Sequence, residues 1–210
     1  MGSALIWGAS GGIGAALVTH LGSMGWQVYG AARNTSRIPR SAQLALDFDA
    51  DYEHSFEAVT MRVAQETTEL DLMVYAVGDI AYGKLGEMGL KGWHATLQSN
   101  LTGAYLAALY GLDLLKEGGH LVYIGAYLDH IRLPKMGAYV AAKAGLAELV
   151  TVLQKEHRKH RFTIVRPGAT ATGFWDKVTL KLPPDAKQPN QVAAAIVQHH
   201  ISGGSGDLDL

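Results

Sequence analysis

The chain has 210 residues, nearly half of them hydrophobic, with 18 basic against 19 acidic side chains and no cysteine. That length fits one domain with a sizeable core, and the near-zero net charge excludes a general electrostatic attraction to nucleic acid or to membrane surfaces. Disulfide and thiolate chemistry are excluded, no apolar run is long enough to span a bilayer, and the composition suits a soluble cytoplasmic protein.

Residues 4–7 read as a buried strand. No basic segment precedes them and they lead straight into a glycine turn, so they are a strand and not a signal peptide. The turn, Trp7-Gly8-Ala9-Ser10-Gly11-Gly12-Ile13-Gly14, is followed by helical apolar spacing over 15–21. Strand, glycine turn and helix make half of a βαβ unit. Glycine permits the turn and close approach of a ligand. The helix start offers free N–H groups and a positive dipole end to a phosphate. The stretch reads as a dinucleotide pyrophosphate site.

Further strands are expected over 26–32, 42–47, 70–76, 120–124 and 162–165, with an edge strand over 207–210. Helices are expected over 54–67, 93–115, 139–157 and 190–200, with Gly118-Gly119 ending the second of these. Alternating strands and helices imply a parallel, doubly wound sheet in three layers, an α/β fold in a single domain over 1–210. The stretch from Lys177 to Pro189 is the most loop-like. In such a sheet the ligand lies beyond the carboxyl ends of the strands.

Tyr139 and Lys143 stand four residues apart on a predicted helix, hence on one face. A cation beside a phenol favours the phenolate and lowers the tyrosine pKa, which makes Tyr139 a candidate general acid or base. With these residues the chain resembles the short-chain dehydrogenase/reductase family over nearly its whole length. Gly8, Gly12 and Gly14 match that family's glycine motif, and Tyr139 with Lys143 its Tyr-x-x-x-Lys. Asn100 matches the helix asparagine of its proton relay. Pro167-Gly168 with Thr172 match the segment that borders the nicotinamide. Asp47-Phe48 sit where the family places an Asp-Val pair near the adenine, and Gly78 ends the segment after strand four.

The resemblance implies a Rossmann fold. It implies that the backbone around Ser10, Ile13 and Gly14 holds the pyrophosphate. Tyr139 would exchange a proton with a carbonyl or alcohol oxygen while the nicotinamide exchanges a hydride with the attached carbon. Lys143 would hold the nicotinamide ribose, and Asn100 a water linking Lys143 to solvent. An acidic residue at the end of strand two would bind a ribose 2′-hydroxyl and repel a 2′-phosphate. This chain has Ala31-Ala32-Arg33-Asn34 instead. Arg33 can pair with a phosphate in forked geometry, so NADP(H) is expected over NAD(H). Arg37 and Arg40 read as surface charges.

Three positions depart from the family. Trp7 replaces a threonine, and Tyr75-Ala76-Val77-Gly78 replaces Asn-Asn-Ala-Gly. Counting thirteen residues back from Tyr139, the place of the catalytic serine is Ala126. Losing one such donor costs roughly 2.7–4 kcal/mol of transition-state stabilisation. Three readings accommodate Ala126: an engineered Ser→Ala variant, another donor such as Tyr127 or His130 in its place, or a nucleotide-binding protein with little redox activity.

Tyr127, His130, Tyr82, Phe174 and Trp175 are candidates to line an aromatic or apolar substrate pocket, under an abbreviated loop at about 173–189. The expected activity is that of a carbonyl reductase or alcohol dehydrogenase. The rivals are a non-redox isomerase or lyase, and a non-catalytic NADP(H)-binding protein. The resemblance implies a homodimer or homotetramer, through the helices over 93–115 and 139–157. His157/His160 and His199/His200 stand near helix ends, where cations suit the dipole, and no metal site is expected.

Overall fold

The computed structural model describes residues 2–210. Seven strands form one parallel sheet: β1 (Ser3–Trp7), β2 (Gln27–Ala32), β3 (Leu44–Asp47), β4 (Leu70–Tyr75), β5 (Leu115–Ile124), β6 (Arg161–Arg166) and β7 (Gly206–Asp209). Their spatial order is β3-β2-β1-β4-β5-β6-β7. The order reverses between β1 and β4, where Trp7 pairs with Tyr75. A crevice therefore opens beyond the carboxyl ends of those two strands, as doubly wound sheets require.

The strands are apolar on both sides, and the period of two divides them between two cores. Leu5, Trp7, Tyr29, Met73, Tyr75 and Tyr123 face one core. It is closed by helices α2 (Glu53–Ala64), α4 (Gly103–Gly111) and α6 (Gly137–Glu156); α3 (Leu90–Leu97) packs on α6, and α5 is a single turn at Leu128–Ile131. Ala4, Ile6, Val28, Leu72, Val74 and Val122 face the other core. That one is closed by α1 (Gly12–Ser23) and α7 (Pro189–Ile201). Trp7 is fully buried in the first core, its ring 4.8 Å from that of Phe48 and 5.2 Å from that of Phe56. The departure at Trp7 thus fills core volume and does not face the crevice.

Two expectations are corrected. The helix expected over 93–115 is not continuous: five residues, Gln98–Thr102, form a π turn between α3 and α4. The Tyr75 hydroxyl donates to the Ser99 carbonyl at 2.9 Å, and the Asn100 amide donates to Thr96 O at 2.9 Å and to Asp79 O at 2.6 Å. Side chains thus occupy the Ser99 and Thr96 carbonyls at this turn, in competition with the helical ladder. Nor does Gly118-Gly119 end that helix. A 3-10 turn at Leu112–Leu114 does, and β5 already begins at Leu115. Gly118 (φ 76°) sits where the register against β4 slips. The remaining elements fall within a few residues of expectation. The single-turn α5 lacked any periodic signal.

Candidate active site

A cavity of about 1180 Å³ occupies the crevice and gathers residues from six strand ends. Its floor is the glycine turn. Gly8 has φ 83°, and a side chain on Gly14 would lie 2.2 Å from Gly8 O, so the turn closes tightly against the helix start. Ser10, Gly11, Gly12 and Ile13 line the cavity, whereas Gly8 and Gly14 shape the turn from behind. No acidic residue stands in the first turn of α1, and the amides of Gly12, Ile13 and Gly14 have no carbonyl a turn back to bond. Gly12 (φ 24°) packs on Thr172, which would lie 2.6 Å from a β-carbon there. The turn and the Pro167-Gly168-Thr172 segment therefore meet across a gap that admits only backbone.

Arg33 and Arg37 both line this cavity. Arg37, at the end of the 3-10 turn at Thr35–Arg37, is exposed, as a surface charge is, and it also borders this cavity. Arg40 is absent from the lining. A smaller adjoining pocket joins Arg33 to Asp47, Asp49, Tyr52, His54 and Ser55. Phe48, by contrast, is 3 % exposed and packed in the core. Strand alternation turns Asp47 outward and Phe48 inward, so the Phe48 side chain is no cofactor contact.

At the other end stand Ala126, Tyr139 and Lys143, with Gly78 between them and Asn100. Lys143 is 4 % exposed. Its ammonium donates to Ile124 O at 2.7 Å, its one hydrogen bond among the described residues, and lies 5.5 Å from the Tyr139 ring centre. Burial pulls its pKa from 10.5 down to about 8. Burial also pushes the Tyr139 phenol well above its ordinary 10.0. The expected lowering of the tyrosine by the lysine is therefore corrected. Desolvation outweighs a cation that is itself held by a carbonyl. Asn100 is fully buried, and its Oδ1 has no donor. A β-carbon on Gly78 would stand 3.0 Å from that oxygen and 3.8 Å from Lys143 Nζ. The two polar groups thus face one small space.

Tyr127, His130, Phe174 and Trp175 line the outer part of the cavity. The Phe174 ring sits 5.4 Å from the Tyr139 ring. Tyr127 and His130 pack together at 5.1 Å, and the Tyr127 hydroxyl donates to Leu210 O at 3.4 Å. Tyr82 does not line the cavity. Its hydroxyl instead accepts from Thr179 Oγ1 at 3.2 Å, outside the mouth. No serine or threonine stands near Ala126 on its own loop. Thr172 Oγ1 accepts from Phe174 N at 3.4 Å while the residue lines the cavity.

A second polar cluster lies far from this crevice, at the amino-terminal end of β5 and β6. His120 Nε2 is 2.7 Å from Thr163 Oγ1, and His120 Nδ1 is 3.3 Å from His200 Nδ1. His199 Nε2 reaches the same Thr163 hydroxyl at 3.2 Å. Burial and the Arg161 guanidinium pull His200 down to about 4 and His120 to about 2. His199 and His200 are therefore not cations suited to a helix dipole, as their place near the end of α7 suggested. They are neutral partners of a buried histidine on β5. No local sequence pattern relates position 120 to position 200.

The family profile described as short chain dehydrogenase matches residues 3–182. Among curated proteins, the short chain dehydrogenase/reductase AacuN of Aspergillus aculeatus is 26 % identical over 91 % of this chain and 79 % of its own length. The 2,3-dihydro-2,3-dihydroxybenzoate dehydrogenase of Bacillus subtilis is 27 % identical over 80 % of this chain and 70 % of its own. Among solved structures, an alcohol dehydrogenase of the archaeon Thermococcus sibiricus, complexed with 5-hydroxy-NADP, superposes with a TM-score of 0.90. It is 26 % identical and covered over 96 % of its length by the whole of this chain. A short chain dehydrogenase of Burkholderia cenocepacia in complex with NADP shares the fold at a TM-score of 0.88 and 24 % identity. This chain belongs to the short-chain dehydrogenase/reductase family of NAD(P)-dependent oxidoreductases.

Proposed function

We propose that the chain is an NADP(H)-dependent carbonyl reductase or alcohol dehydrogenase with Tyr139 as its acid/base. One observation carries this reading. The free amides at the start of α1, the Arg33/Arg37 pair and the Tyr139/Lys143 pair all line a single cavity. The donor set fits a dinucleotide: a backbone cradle without a carboxylate at one end, two guanidiniums where a ribose phosphate would lie, and an orphaned amide oxygen beside an ammonium at the other end. The nicotinamide, when bound, supplies or accepts the hydride.

The chain's own residues do the rest. Tyr139, held protonated at neutral pH by its raised pKa, donates the proton from Oη to the carbonyl oxygen in the reductive direction. Lys143 has ammonium hydrogens left over from its bond to Ile124 O, and these are available to the nicotinamide ribose. Asn100 offers its unused Oδ1 to the relay that resupplies the proton. Arg33 and Arg37 select the 2′-phosphate by charge and fork geometry. Ala126 leaves the substrate oxygen one donor short, and Tyr127 and His130 are the polar groups nearest in chain order to make good the loss. The aromatic wall of Tyr127, Phe174 and Trp175 suits an aromatic or apolar small molecule.

The reading extends to one domain over 1–210 with a short substrate loop at about 173–189. It includes a homo-oligomer through the outer faces of α4 and α6, where Tyr105, Leu109 and Val152 are about half exposed, and a cytoplasmic location. No helix among the described residues is long and apolar enough to cross a membrane. The test is NADPH consumption against a panel of ketones by the parent and by Tyr139→Phe. Turnover lost in the variant supports the reading. The missing donor at Ala126 favours a second one, a retained nucleotide without net redox change. Product formation with no change in cofactor oxidation state selects that alternative.

A further inference from the structure

Between Thr170 and α7 the chain leaves the sheet and crosses the cavity mouth. Residues 172–186 form a strap closed at its base by backbone pairs: Lys187 N donates to Ala169 O at 2.9 Å, and Ala171 N to Lys187 O at 2.9 Å. Inside the strap Phe174 rests on the Tyr139 ring, and Trp175 Nε1 donates to Thr170 O at 2.8 Å. Far from the base, two contacts tie the strap to the segment after β4. Lys177 Nζ meets Asp79 Oδ1 at 2.6 Å, and Thr179 Oγ1 meets the Tyr82 hydroxyl at 3.2 Å. Asp79 has other duties. Its Oδ1 also accepts from Ile80 N at 2.7 Å, and its main-chain carbonyl accepts from the Asn100 amide at 2.6 Å. Residue 79 therefore stands between the buried asparagine of the site and the strap that walls its substrate end.

We propose that Asp79 is a positioning residue. Its ion pair with Lys177 holds the strap shut, setting Phe174 against Tyr139, while its carbonyl keeps that anchorage in register with Asn100. The functional part of this inference rests on the reductase reading, and the structural part does not. The side chains of the pair are 49 % and 37 % exposed for Lys177 and Asp79. Such a pair is weak and screened by salt, which suits a fastening that must open for substrate. The strap is ordered by charge at one point and by a neutral hydroxyl pair at another, so the charged contribution can be isolated by a double-mutant cycle.

Thermolysin, which cuts before apolar residues, is the probe, because Phe174, Val178, Leu180 and Leu182 all lie in the strap. Asp79→Asn keeps an acceptor for Ile80 N and removes only the charge. We expect Asp79→Asn and Lys177→Gln each to speed cleavage within the strap about two- to fivefold. The double variant should be no faster than either single one, and Lys177→Arg should restore the parent rate. Salt should speed cleavage in the parent and not in the variants. Single variants that cleave at the parent rate, or effects that simply multiply in the double variant, overturn the proposal. With substrate in hand, KM should rise in both single variants by more than kcat falls, with the Kd for NADPH unchanged. A parent that turns over no carbonyl counts against the reductase reading alone, and the protease cycle still decides whether the pair holds the strap.

Discussion

Lys143→Met is the substitution whose consequence is least intuitive. Lys143 is buried with a single neutral acceptor, and its pKa falls from 10.5 to about 8. Holding the ammonium in the fold at neutral pH therefore costs about 3 kcal/mol, at ~1.36 kcal/mol for each tenfold change in proton affinity. Methionine fills a similar volume without that cost, but it leaves Ile124 O unbonded, a loss of about 1–3 kcal/mol. The apoprotein variant should thus be equal in stability to the parent at pH 7, or up to about 2 kcal/mol more stable. The sign with pH follows from the depressed pKa. Between about 8 and 10.5 the unfolded chain binds the extra proton, so the parent gains stability as pH rises through that window while the variant does not. The difference should move against the variant by about 2 kcal/mol between pH 7 and about pH 9.5. Urea unfolding of both proteins across that range measures it. A difference that stays flat with pH, or a variant more than about 2 kcal/mol less stable at pH 7, refutes the claim that Lys143 is a destabilising group retained for function. The same substitution should weaken NADPH binding.

Arg33→Ala should raise the Kd for NADPH about 10- to 100-fold, the worth of a charge-assisted contact, and leave that for NADH nearly unchanged. Fluorescence titration with both nucleotides reads the ratio. Ala126→Ser should raise kcat for carbonyl reduction by about 10²–10³, the value of one donor at a developing oxyanion, with nucleotide affinity unaltered. Equal kcat in both proteins would mean that another side chain already serves. The histidine cluster predicts an acid limit. His120 and His200 are neutral in the fold, at about 2 and about 4 against 6.5. Their contribution is complete above pH 6.5 and is lost as pH falls towards those values. His199 and Arg161 face them, and Asp71 and Lys116 also act on His200. Replacing His200 with asparagine should flatten the fall in stability between pH 6.5 and pH 4, which is about 3 kcal/mol for one such proton.

The cofactor half of the site was legible because its signals are local. Glycines at 8, 12 and 14 mark a turn whose geometry admits little else, and Tyr139 and Lys143 share a helix face by spacing alone. Arg33 follows strand two directly, so its place was readable too. What the sequence concealed depends on contacts between distant segments. Arg37, though exposed, borders the cavity at the end of a short turn. Phe48 leaves it because strand alternation turns it into the core. The π turn at Gln98–Thr102 takes a hydrogen bond from the Tyr75 hydroxyl on β4, a contact that no helical period reveals. The raised pKa of Tyr139 is hidden from the sequence for the same reason. Spacing showed the cation but not the desolvation around both groups, nor the Ile124 carbonyl that holds the lysine. Asp79 with Lys177, and His120 with His200, are pairs that only the fold assembles.

We propose that this cavity passes a hydride between NADP(H) and a small carbonyl or alcohol, with Tyr139 handling the proton. This is tested most directly by supplying NADPH deuterated at the transferable position with a panel of aryl and alkyl ketones, and following deuterium into the alcohol by mass spectrometry. One deuterium is expected on the carbinol carbon in the parent, more of it in Ala126→Ser and none in Tyr139→Phe. Alcohol formed without deuterium, or the same yield with Tyr139→Phe as with the parent, would contradict it.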